Sequence, residues 1–282
     1  MRRPHSDLGT FLRSRRARLR PADAGLPDLG GRRRVPGLRR EELARLAGIS
    51  PGYYTRLEQG LSPNVSDAVL DAIARVLRLD PTERHHLGTL AHPRPAAPPP
   101  PEHLRPAVRT LVASLGPTPA LVLGRRADVL AWNRLAHALL APHLDFAARP
   151  NVARLVFLDP RTRELYGDGW PAKCQDTVAD LRLVAGRHPG DRALATLIAE
   201  LTDGSEQFAA LWRAHPVRVC AAHTRHYRHP TAGPLTLADE LLQLPDDPGL
   251  RLVLWSAEPG SPSATALDTL RRTARESQDT PS

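Results

Sequence analysis

Lysine is nearly missing from this chain: of 39 Lys and Arg residues, only Lys173 is not arginine. Arg, Ala and Pro are all abundant, which a G+C-rich coding bias produces without functional demand, so a formal net charge of +9 says little by itself about partners. Cysteine is equally scarce. Cys174 and Cys220 are the only two and lie far apart, which excludes a disulfide framework and fits free thiols in a reducing compartment. No apolar run reaches the ~18 residues of a membrane span, and no apolar core follows the basic start MRRPHSDLG. Neither a span nor a secretory signal is expected, and the expected location is cytoplasmic. Chemistry-bearing motifs are lacking too. There is no glycine-rich phosphate loop and no nucleophile elbow, and Gly167-Asp168-Gly169 is too short to mean anything alone. Neither an enzyme nor a cofactor is expected.

What is present is unevenly placed. Residues 1–60 hold 14 Arg against 6 Asp or Glu, so nearly all of the net charge sits there. The same region contains RREELARLAGISPGYYTRLEQG, Arg39 to Gly60. Glu41 and Glu42 suit the positive end of a helix, and Leu43, Ala44 and Ala47 form its apolar face. Gly48 fits a left-handed stop, Ser50 a cap, and Pro51 the first position of a second helix ending at Gly60. That second helix turns Tyr54 and Leu57 inward and Gly52, Tyr53, Thr55, Arg56 and Gln59 outward. Further helices are expected over Leu8–Leu19, Ser66–Leu77 and Asp80–Ala91, the last opened by the capping box Asp80-Pro81-Thr82-Glu83. Two helices around a glycine turn can be a plain packed pair. They are also the unit whose second helix enters the DNA major groove.

The pattern over residues 8–91 resembles the Cro/repressor-type helix-turn-helix domains of the Xre family, an all-α, five-helix, lambda-repressor-like fold. The resemblance implies that Arg40 contacts a phosphate and that Pro51, Gly52, Thr55 and Arg56 face bases. It also implies that Ser62 and Asn64 lie in a loop touching the backbone, and that Glu58 pairs with Arg16 as a structural link. Ser50 and Tyr53 complete the expected DNA-facing set. The small pair Pro51-Gly52 leaves direct readout mainly to Arg56, which can grip guanine bidentately. One departure is an insertion of roughly 18 residues, Arg20 to Gly37, where about 2–8 are usual. Its Arg32, Arg33 and Arg34 could track phosphates or form a solvated basic loop.

Four segments are expected: a DNA-binding domain over 1–91, a proline-rich linker over 92–106, an α+β domain with an antiparallel sheet over 107–258, and a tail over 259–282 whose end is expected to be disordered. In the third segment, helices are expected over Glu102–Leu115, Asn133–Leu140, 175–186, 191–202 and Glu206–Ala214. Strands are expected over Ala120–Leu123, Val129–Trp132, Val217 onward to Tyr227, Leu235–Leu244 and Leu250–Trp255, with helices on one face of the sheet.

The stretches ALVLGRRADVLAWNRLAHALL, LVFLDPRTRELYGDGWP, WRAHPV, HYRHPTAGPLTL and RLVLWSAEPGSPS resemble a PAS-like, MmyB-like ligand-binding domain. That resemblance implies a one-component regulator of double-stranded DNA, a homodimer, responding to a small apolar or fatty-acid-like molecule. Trp132, Phe157, Tyr166, Trp170, Trp212, Tyr227 and Trp255 could line its pocket or simply fill the core. His223, His226 and His229, three apart, would share a face only on a helix. The segment reads as a strand, so no metal site is expected. Two other readings stay open: a C-terminal domain that only dimerises or recruits a partner protein, and, more remotely, an enzyme with a DNA-binding domain.

Overall fold

The structure, a computed structural model, describes residues 7–26, 37–62, 65–92, 101–215, 222–245 and 249–279. The chain forms two compact units. The first is residues 1–98 with the short segments 185–191 and 213–218, and the second is the remainder.

The first unit holds five helices, α1 (Asp7–Arg18), α2 (Arg40–Leu46), α3 (Pro51–Glu58), α4 (Asp67–Val76) and α5 (Pro81–Ala91). Their apolar stripes meet in a core where Phe11, Leu12, Leu38, Leu43, Tyr54, Leu57 and Ile73 are fully buried. Each such side chain contributes roughly 1.5–3 kcal/mol on removal from water. Gly48 has φ +69° and closes α2 with two hydrogen bonds, Gly48 N–H to Arg45 O and Ile49 N–H to Ala44 O. The left-handed backbone there is what a glycine makes cheap. α3 opens on Ser50, whose Oγ accepts from the Tyr53 N–H at 3.1 Å, with Pro51 as its first residue. The insertion returns at Gly37, where a Cβ would stand 2.3 Å from the Arg16 carbonyl oxygen. Arg32, Arg33 and Arg34 lie outside the described residues, as does Asn64.

The second unit begins with α6 (Pro106–Ser114), β1 (Ala120–Leu123), β2 (Val129–Trp132), α7 (Arg134–Leu140), α8 (Val152–Leu158), α9 (Pro160–Tyr166) and α10 (Trp170–Arg187). It continues with α11 (Arg192–Gly204), α12 (Glu206–Ala214), β3 (Ala222–His229), β4 (Gly233–Gln243), β5 (Arg251–Ser256) and α13 (Pro262–Asp279). The five strands form one antiparallel sheet in the order β2-β1-β5-β4-β3. Leu241, Val253, Leu121 and Trp132 are cross-strand neighbours in one row. In β2 an extra residue sits between the partners of Val122 and Leu123. This bulge is why Val129 and Trp132, three apart, both reach the same core.

Alternation along the strands splits the sheet into two faces. Leu121, Val253 and Trp255 pack with α7, α9 and α13, while Ala120, Val122 and Leu252 pack with Val108 and Val112 of α6. Helices therefore cover both faces rather than the one expected, because β1 and β5 are apolar on both sides and α6 supplies the second layer. Two helices that carry no long periodic pattern, α8 and α9, are set by side-chain caps. Asn151 accepts from Ala153 and Arg154 N–H, and Asp159 accepts from Arg161 N–H. Residues 262–279, assigned from sequence to a tail, form helix α13, with Leu267 and Leu270 buried in the main core. Their three-residue spacing was hidden in a polar stretch. Among the described residues no helix is long and apolar enough to cross a membrane.

Candidate DNA interface and ligand cavity

The outer face of α3 follows from its caps and its buried pair. With Tyr54 and Leu57 buried, Pro51, Gly52 and Arg56 are exposed, and Tyr53 and Thr55 are half-buried beside them. Thr55 Oγ1 donates to the Pro51 carbonyl at 2.8 Å. Its proton is thus engaged, leaving an acceptor and a methyl group for a base edge. The Arg56 guanidinium lies 5.9 Å from the Tyr53 ring centre, so the two residues share one edge of the helix. Ser62 is half-buried in the loop after α3.

Behind this face sits Glu58, 1% exposed. Arg16 Nε donates to its Oε1 at 2.8 Å and Arg40 Nε to its Oε2 at 2.7 Å. Burial pushes the Glu58 carboxyl upward, but the hydrogen bonds from Arg16 and Arg40 outweigh it and hold it below the usual value. The Arg16 pairing is the one expected from sequence. The Arg40 pairing is an addition, which brings the start of α2 onto the same carboxylate as α1. The Arg40 side chain remains about half exposed.

In the second unit a cavity of about 80 Å³ lies between the sheet and α10. Strand alternation places His223, Arg225 and Tyr227 of β3 on its wall, with Asp239 and Leu241 of β4, Val253 and Trp255 of β5, and Leu121 and Leu123 of β1. From α10, Lys173, Asp176, Thr177 and Asp180 face it at the i, i+3, i+4, i+7 spacing of one helix face. One end is aromatic. Trp255 Nε1 donates to the Tyr227 hydroxyl at 3.0 Å, and the Tyr166 and Tyr227 rings lie 5.2 Å apart. Burial raises the Tyr227 hydroxyl well above its ordinary pKa, so it stays protonated. The other end is ionic. Arg225 donates to Asp176 at 2.8 Å and to Asp239 at 3.1 Å, Arg251 donates to Asp180, and His223 lies 3.7 Å from Asp176. Leu140 borders this cavity and also a wider groove of about 620 Å³ shared with Arg161, Glu164 and Arg228.

The structure divides the seven aromatics expected at a pocket. Tyr166, Tyr227 and Trp255 line the cavity. Trp132 donates to the Phe146 carbonyl and Trp170 to the Val156 carbonyl, each anchoring a loop or helix end. Phe157 and Trp212 both pack on Phe208, with Arg182 over the Trp212 ring at 3.5 Å. The ionic half of the cavity was missed, although the spacing 173, 176, 177, 180 and the alternation 223, 225, 227 carried it in the sequence. The three histidines occupy different surroundings on β3. His226 faces Thr236 across the strands, and His229 is buried against the Ala138 carbonyl. Burial pushes the Cys174 thiol up to about 12, which disfavours the reactive thiolate. Cys220 lies outside the described residues.

Comparison with known proteins agrees with this division. Nothing among the curated proteins matches the chain. A family model described as a helix-turn-helix domain matches residues 7–87, from the start of α1 into α5. A second, the MmyB-like transcription regulator ligand binding domain, matches residues 104–270. It takes in the whole sheet, the cavity and the buried start of α13. With that ligand-binding domain covering more than half of the 282 residues, behind a helix-turn-helix domain, the chain belongs to the MmyB-like transcription regulators.

Proposed function

We propose that this DNA-binding transcription regulator is a one-component cytoplasmic sensor: α3 reads an operator in the major groove, and a small apolar or lipid-like molecule in the second unit changes that reading. The observation that carries the proposal is the cavity between α10 and the sheet, part apolar and part ionic, in a domain of a ligand-binding family. Ligand sites combine apolar walls with a few placed polar groups in this way. On the DNA side, Arg56 and Thr55 offer base contacts, Ser50 and Ser62 backbone contacts, and Arg40 a phosphate contact from its exposed edge. Arg32, Arg33, Arg34 and Asn64 add phosphate contacts on the sequence reading alone. Two copies would place two α3 helices on half-sites about one helical turn, ~34–36 Å, apart or at multiples of it. A ligand shifts binding only if it favours one state of the protein over another.

The test is direct. An operator is selected from random duplexes with the full chain, and its affinity is then measured by fluorescence anisotropy with and without candidate ligands. A ligand-dependent change in affinity supports the sensor. A constant affinity with every ligand class favours the second reading, in which this unit binds protein. That reading draws support from the half-exposed side chains of Leu111 and Leu242.

A further inference from the structure

We propose that α10 and α12 carry the state of the cavity into the first unit, and that the seat of Gly186 on His86 is where that state is transmitted to the DNA-binding helices. The inference rests on the sensor reading and names its route. α10 begins on the cavity wall, where Lys173, Asp176, Thr177 and Asp180 face the space. Arg225 holds Asp176 and Arg251 holds Asp180, so the sheet grips this part of the helix. Residues 185–191 and 213–218, which take in the ends of α10 and α12, belong to the first unit. α10 is unbroken from Asp180 to Gly186, so a tilt or slide of the gripped part is delivered at its end. Arg182 ties α12 to the same movement. Its guanidinium lies 3.5 Å from the centre of the Trp212 ring and donates to the Trp212 carbonyl. Within the first unit both helix ends are closely fitted. A Cβ at Gly186 would stand 2.9 Å from Cε1 of His86. That histidine is buried, edge-on to the Phe11 ring with centres 5.3 Å apart, so it cannot step aside. Glycine weakens a helix relative to alanine, and here it admits the histidine ring. The last carbonyls of a helix lack partners within it. For α12 and the residue after it, Arg18 donates to the Ala214 carbonyl and Arg15 to the His215 carbonyl, each at 2.9 Å. Arg15 also pairs with Glu83 of α5 at 2.7 Å. α1 and α5 thus receive the two helix ends together. α1 leads on to the DNA face, because Arg16 holds Glu58 at the end of α3. A shift of α1 therefore moves the carboxylate behind the reading helix. Coupling requires an element whose arrangement both sites bias, and the tied pair α10 and α12 is that element.

The test uses the full-length protein, with dodecanoate as the probe. Isothermal titration follows probe binding, anisotropy follows operator affinity, and hydrogen exchange follows the helices of the first unit. In the parent, dodecanoate is expected to change operator affinity by about 5- to 150-fold, the usual range for coupled sites. Gly186→Leu drives a side chain against His86 and is expected to abolish that response while dodecanoate still binds. Adding His86→Ala to Gly186→Leu makes room for the side chain and is expected to restore the response, a rescue that a general loss of stability does not show. A full response in Gly186→Leu, or no rescue in the double variant, overturns the inference. A second arm needs no ligand. Asp180→Asn loosens the grip of Arg251 on α10, and is expected to speed amide exchange in residues 81–91 while residues 40–46 keep the parent rate. If that change appears and dodecanoate leaves the parent's operator affinity constant, the route stands and the sensor reading loses its support. If dodecanoate changes operator affinity and Asp180→Asn leaves exchange in 81–91 untouched, the sensor stands and this inference falls.

Discussion

Arg40 donates through Nε to Oε2 of Glu58 at 2.7 Å, on a carboxylate whose other oxygen already receives Arg16. One buried acid thus ties the start of α2 to α1 beneath the DNA-facing helix. Glu58→Gln removes the charge and leaves the nearly buried Arg16 uncompensated. We expect a loss of about 3–5 kcal/mol, the range for breaking a buried pair, with most of it from Arg16, since the half-exposed Arg40 is screened by solvent. The depressed Glu58 carboxyl sets the sign with pH. Its stabilisation is present above the unfolded value of about 4.3 and is lost as pH falls through its lower folded value. All four tryptophans follow residue 131, so hydrogen exchange over α1 to α5 is the measurement, not fluorescence.

Arg56 is the exposed basic residue of α3. Arg56→Ala is expected to weaken operator binding by about 1–3 kcal/mol and to relax preference at one base position. Arg40→Ala, by contrast, should weaken all sequences alike and lower the salt slope by about one. Anisotropy titrations on operator and scrambled duplexes at several salt concentrations separate the two. Equal losses on both duplexes for Arg56→Ala would count against base contact.

Tyr227 is fully buried and its hydroxyl accepts the Trp255 indole N–H. Tyr227→Phe leaves that N–H without its acceptor. We expect the second unit to lose about 1–3 kcal/mol, with a shift in tryptophan emission, in urea titrations followed by fluorescence. An unchanged midpoint would mean that the indole finds another acceptor.

His229 closes the β3–β4 turn in one tautomer. The backbone N–H groups of Thr231 and Ala232 both donate to Nδ1, so the proton sits on Nε2 and is given to the Ala138 carbonyl. Burial lowers the His229 pKa, against a smaller opposing effect of that carbonyl. The folded state therefore resists a second proton that the unfolded chain takes up. Stability is complete above the unfolded value of about 6.5 and falls as pH drops below it. In His229→Asn the difference in melting temperature between about pH 7 and pH 5 should shrink relative to the parent. An undiminished difference assigns the pH response to other groups.

Much of the first unit was legible because its instructions are local. Capping residues, a glycine stop and helical apolar spacing act within a turn or two, and they place α1 to α5 to within a residue or two. The β strands were legible for the same reason, through alternation and turn residues, although residues 217–221 of the strand expected from Val217 lie outside the described residues. The helices α8 and α9 were not, because seven residues hold too little periodicity to register and only their caps define them. α13 escaped notice because its apolar residues are sparse and gain meaning only against the sheet they cover.

The sequence by itself determined the outline: a basic helix-turn-helix unit, the Arg16–Glu58 link, the outward residues of α3, and an α+β unit beyond a proline-rich stretch. Tertiary structure alone decided which aromatics meet. Tyr166, Tyr227 and Trp255 come from three elements that only the fold brings to one cavity, while Trp132, Trp170 and Trp212, equal candidates by composition, anchor other places. It also turned a compositional oddity, the single Lys173, into a cavity residue. Side-chain type is written in the chain, but ion pairing, burial and enclosed volume depend on neighbours distant in sequence, and those are fixed by packing.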